Sequence, residues 1–135
     1  TDVADLNSPG NGTFTSTPTV STLIVGSTQA FTINTYVVDQ ATSASVPVAS
    51  QINMTGKGDG TDTANLYDGA GINSLVGSGS TATLKRNVGN GSPVQTVGGT
   101  GFGNVTGFQT QGNDNAVHPG TIDYVLQTVG NWIRD

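Results

Sequence analysis

The chain has no cysteine, which removes disulfide frameworks, thiolate nucleophiles and Cys-ligated zinc together and leaves the redox compartment open. Glutamate is missing as well: all nine acidic groups are aspartates, and the fixed cations are only Lys57, Lys85, Arg86 and Arg134. Charged residues are 10% of the chain against about 25% in an average globular protein. At a net charge of −5, four scattered cations build no basic face for a phosphate backbone, so nucleic acid is not an expected partner. Long apolar runs are absent too, and no membrane insertion is expected.

The chemistry of active sites is equally thin. His118 is the sole histidine. Beside Pro119 in a Gly- and Asn-rich stretch, it reads as an exposed loop residue rather than a catalytic base. No G-x-S-x-G elbow and no complete G-x-G-x-x-G occur, and Gly56-Lys57-Gly58 lacks the hydroxyl residue that a phosphate loop places after its Lys. A glycosidase pair of carboxylates calls for an aromatic-lined cleft, whereas the one Trp, three Tyr and four Phe are spread along the chain. No enzyme is expected.

What remains is Thr, Ser, Asn and twenty glycines, with clusters of Val, Ile, Phe and Tyr. Straight-chain helix formers are scarce, β-branched residues favour strands, and Gly, Asn and Asp favour turns. Alternation marks strands at 13–17, 19–25, 29–39, 46–55 and 82–86, shorter ones near 64–67, 74–76, 94–97 and 103–108, and a strong one at 121–129. Asp68-Gly69-Ala70-Gly71 gives a hairpin signal. The expected fold is all-β, a two-sheet antiparallel sandwich or jelly roll of about nine strands with an extended N-terminal arm. The arm covers residues 1–12 and a single β-sandwich domain covers 13–135.

Asn65-Leu66-Tyr67-Asp68-Gly69 followed by Leu75-Val76-Gly77-Ser78 resembles the strand-turn-strand passage of immunoglobulin-like repeats in prokaryotic surface-layer and other cell-surface proteins. The match covers about a tenth of the chain and implies a structural role at a surface, without naming a site.

Asp59, Asp62 and Asp68 form the most informative polar cluster. Calcium takes six to eight oxygens, and Gly-rich loops let carboxylates and carbonyls converge on it, so these three are the candidate metal ligands and Ca2+ the one candidate cofactor. Plain turn chemistry explains the same residues, because Asp side chains bond their own backbone. Sequons at Asn11, Asn53, Asn90 and Asn104 permit glycosylation in an exported protein, and a chain that begins at Thr1 fits equally a mature product whose signal has been removed and a trimmed chain. Trp132 is a candidate for sugar stacking, against a cap on the end of the core.

The expectation for function is a structural subunit of an extracellular filament, sheath or surface layer, secreted or at the cell surface, whose main partners are copies of itself. Assembly is expected through strand or arm exchange, with Thr13, Phe14, Thr15 and Thr17 as the donated residues and calcium as an aid. A carbohydrate-binding or adhesive module with glycan partners, and a viral capsid or decoration protein, are the alternatives.

Overall fold

The computed structural model describes residues 3–34, 36–38, 45–47, 51–88, 95–111 and 114–134. They form fifteen strands: β1 (Val3–Asn7), β2 (Gly12–Ser16), β3 (Val20–Val25), β4 (Thr28–Asn34), β5 (Tyr36–Val38), β6 (Ser45–Pro47), β7 (Gln51–Thr55), β8 (Thr63–Tyr67), β9 (Ile72–Gly79), β10 (Thr81–Val88), β11 (Gln95–Thr100), β12 (Asn104–Phe108), β13 (Asp114–Ile122), β14 (Val125–Val129) and β15 (Trp132–Arg134). Seven make one sheet in the order β1-β7-β11-β10-β9-β13-β15, and six make a second in the order β14-β12-β8-β2-β3-β4. The two sheets pack together, while β5 and β6 form a separate ribbon.

The all-β, two-sheet expectation holds, with two corrections. Thirteen strands rather than about nine build the layers, and both sheets are mixed rather than antiparallel. In the seven-stranded sheet β1, β7 and β11 are mutually parallel, as are β9, β13 and β15. Strand β10 is antiparallel to β9 and to β11, so it alone runs against the other six. In the six-stranded sheet β2, β8, β12 and β14 are parallel; β3 is antiparallel to both β2 and β4 and is the one reversed strand. The chain therefore passes repeatedly from one layer to the other, from β7 to β8 to β9 and again from β11 through β12, β13 and β14 to β15, which sets β7 beside β1, β8 beside β2, β12 beside β8, β13 beside β9, β14 beside β12 and β15 beside β13.

Period-two alternation decides which side chains face inward. In β8 Ala64 and Leu66 are buried, and in β12 Val105 and Gly107. Register then stacks Phe14, Ala64, Val105 and Leu126 in one inward row and Ala4, Ile52 and Val97 in another. Phe14 meets the edge of Phe102, ring centroids 5.5 Å apart at 74°. Each fully buried Leu, Ile or Phe contributes about 1.5–3 kcal/mol relative to exposure. On the outer surface of the seven-stranded sheet one row runs from Val3 through Gln51, Thr96, Lys85, Ser74 and Ala116 to Ile133.

The segment expected to be a free arm is strand β1, hydrogen-bonded along β7, with Leu6 buried in the core. Strand β2 lies inside its own sheet between β8 and β3. Two inward apolar side chains, Leu6 and Phe14, suffice to hold this stretch, with β1 paired to β7 along one side and β2 paired on both.

Candidate functional site

Each end of β8 carries a fully buried aspartate, and the two hold successive passes of the chain together. At the first corner the turns after β1, β7 and β11 stack. Ser8 N–H donates to the Thr55 carbonyl at 2.8 Å, Gly56 N–H to Thr100 at 2.8 Å and Gly103 N–H to Asp62 at 2.9 Å. Asp62 reaches back across about fifty residues: its Oδ1 accepts from Gly12 N–H at 2.7 Å and from the Ser8 hydroxyl, and its Oδ2 accepts from Lys57 N–H at 2.7 Å. A buried carboxylate is stable only when such donors replace its water, and bonds to a charged acceptor are the strong kind.

At the second corner Asp68 reaches forward instead. Its Oδ1 accepts from Thr110 N–H at 2.6 Å and the Thr110 hydroxyl at 2.7 Å, and its Oδ2 accepts from Asn115 Nδ2 at 3.1 Å. Asn73 completes the corner. Its Nδ2 donates to the carbonyls of Gly69 and Gly71 and to Asn115 Oδ1 at 2.8 Å, while its Oδ1 accepts from Gly69 N–H. Asn73, Asn115 and Trp132 occupy one inward position on β9, β13 and β15, so a short asparagine ladder ends on an indole.

A third buried node surrounds Arg86. Its Nε donates to the Tyr67 carbonyl at 2.6 Å, Nη1 to Gln95 Oε1, and Nη2 to the Ser16 carbonyl and, at 3.1 Å, the Ser16 hydroxyl. The guanidinium thus ties β10 to β8, β11 and β2. Tyr124 plays a smaller part of this kind, donating to the Thr81 carbonyl at 2.7 Å, and burial pushes its phenol up to about 12.

The candidate calcium ligands are not brought together. Asp62 and Asp68 bracket the five residues of β8, roughly 20 Å apart at about 3.3 Å per residue, and their carboxylates are engaged by N–H and O–H donors. Asp59 is exposed, paired with Lys57 at 3.2 Å, its carboxyl held below the usual range chiefly by the Thr61 hydroxyl. Among the described residues no three acidic or histidine side chains come together as a metal-binding group. The Asp68–Gly71 hairpin signal is corrected too. Strands β8 and β9 lie in different sheets, and the turn between them crosses from one layer to the other.

Of the sequons, Asn11 is exposed in the left-handed region at φ 54, Asn53 is half-buried on β7 with Nδ2 donating to Asp5, and Asn104 is exposed at the start of β12; Asn90 lies outside the described residues. Of the expected assembly residues, Phe14 is buried, Thr13 and Thr15 lie half-buried on the outer face of β2, and Thr17 caps the β2–β3 turn through Val20. His118 is half-buried within β13 rather than in a loop. Trp132 packs on the core and would be met by a side chain at Gly107, which places it as an end cap.

One depression beside Phe102, Ser80 and Asp123 encloses about 150 Å³, below the roughly 300–1,000 Å³ of ordinary ligand pockets. The surface feature with more chemistry is the set of sheet edges. Of eight large apolar side chains exposed among the described residues, Val3, Phe31, Val125, Val129 and Ile133 lie on the four edge strands β1, β4, β14 and β15. Sequence reading missed these edges because strand order cannot be read from alternation. Comparison with known proteins returned no matching family model, no matching curated protein and no matching solved structure.

Proposed function

We propose that this protein is a structural subunit of an extracellular filament, sheath or surface layer, and that its copies join through the open edges of the two sheets. The observation that carries the reading is apolar exposure on all four edge strands. An edge presents unpaired N–H and C=O groups, and β proteins ordinarily blunt it with Lys, Pro or a bulge. Here β14 carries no charge at all and ends in exposed Val125 and Val129, each 51% accessible. Buried polar side chains support the same reading: Asp62, Asp68, Asn73, Asn115 and Arg86 all bond to backbone or side chains that hold the stack, which suits a load-carrying unit.

Light scattering and electron microscopy of the purified chain test the proposal. Ordered polymers are expected at high concentration, and Val125→Lys with Ile133→Lys is expected to abolish them. Both sites are exposed, so the variant's melting temperature should stay close to that of the parent. A parent chain that stays monomeric across the whole concentration range overturns the reading.

A further inference from the structure

We infer that copies join head to tail, with β15 of one copy lying parallel to β1 of the next and Ile133 beside Val3. This rests on the self-assembly reading above and adds its polarity and register. Strands β1 and β15 are the two edges of the same sheet, and both belong to the six strands that point one way. A translated copy therefore extends the sheet in parallel, continuing the ladders by which β7 joins β1 and β13 joins β15. The other sheet has the same polarity, since its edges β4 and β14 are co-directional. Such a contact uses two different surfaces and leaves a free one at each end, which gives open polymers rather than closed dimers.

Side chains select the register. Val3 and Ile133 terminate the same outer row and are 53% and 62% exposed, with polar or small residues and one lysine between them. Head-to-tail stacking places each apolar end against the other and covers both. Among the described residues β1 carries Asp5 and β15 carries Arg134, both exposed. With Val3 beside Ile133, Arg134 falls opposite Ala4 and on the other face of the sheet from Asp5, so the register rests on the two apolar ends and on strand direction.

The absence of cysteine makes the register testable in the full chain. Adjacent strands lie about 4.8 Å apart, within the Cα separation of roughly 4.4–6.8 Å that a disulfide spans. Val3→Cys and Ile133→Cys proteins are oxidised separately and as a mixture, then run on non-reducing gels, with light scattering on the same samples. Cross-linked dimers are expected mainly in the mixture, and a ladder is expected from the double variant. Efficient dimers from either single variant alone overturn the polarity, and polymers seen by microscopy without a cross-link in the mixture overturn the register; both leave self-assembly standing. A chain that is monomeric throughout removes the self-assembly reading itself.

Discussion

A carboxylate that has lost its water must recover the equivalent in N–H and O–H donors, and Asp62 does so with three of them from the turns after β1 and β7. Replacing one oxygen by an amide leaves a donor facing a donor. Asp62→Asn is therefore expected to cost about 3 kcal/mol, or about 10 °C in melting temperature for a domain of this size. Asp59→Asn alters only an exposed pair with Lys57 and Thr61, and its melting curve should overlay that of the parent. Scanning fluorimetry of the two variants separates a buried clamp from a surface turn. The sequence does not distinguish them, because Gly58-Asp59-Gly60-Thr61-Asp62 offers both aspartates the same turn-forming neighbours; only the fold of the preceding pass brings Ser8 and Gly12 to one of them.

Among elements, the stacked turns set the tightest tolerances. A methyl group at Gly103 would lie 2.0 Å from the Gly60 carbonyl oxygen, which is backbone and held by its own turn. At Gly98, inside β11, the nearest atom would be the Thr83 hydroxyl at 3.4 Å, an ordinary contact. Gly103→Ala is expected to destabilise by about 3 kcal/mol or more, and Gly98→Ala to be neutral or to gain up to about 0.5 kcal/mol, as urea titration would show. The strands themselves were largely legible: alternation marks β2, β3, β8, β10 and β12 with nearly the observed bounds, whereas the single strand expected over 121–129 is the end of β13 in one sheet and β14 in the other, broken at Asp123 and Tyr124. Their parallel pairing was not, since a two-residue period is the same whichever way the neighbour runs. Strand β13 was hidden by His118-Pro119, a pair that reads as a loop, and β1 by its short run with only Leu6 fully buried.

For the whole molecule, the first seventeen residues are structural. Deleting them removes Leu6 and Phe14 from the core and takes away the Ser16 carbonyl and hydroxyl that receive Arg86. A lost Phe alone costs about 3–5 kcal/mol, and a buried guanidinium stripped of acceptors a comparable amount, against a total stability of about 5–15 kcal/mol. The truncated chain is expected to be unfolded, with no cooperative melting transition by circular dichroism. A folded, β-rich truncated monomer would restore the idea of an exchangeable arm.

Parallel stacking also sets a timetable for synthesis. Residues of β2 meet their partners on β8 fifty positions later, Phe14 against Ala64, and β1 waits almost as long for β7, Leu6 against Met54. At about 5–20 residues per second on the ribosome, that is a delay of about 3–10 s. Until then only the local β2–β3, β3–β4 and β5–β6 pairs can form, and β1 stays unpaired. In its VADLN sequence Asp5 and Asn7 break the apolar run, which suits a strand that must remain single for seconds beside other nascent copies.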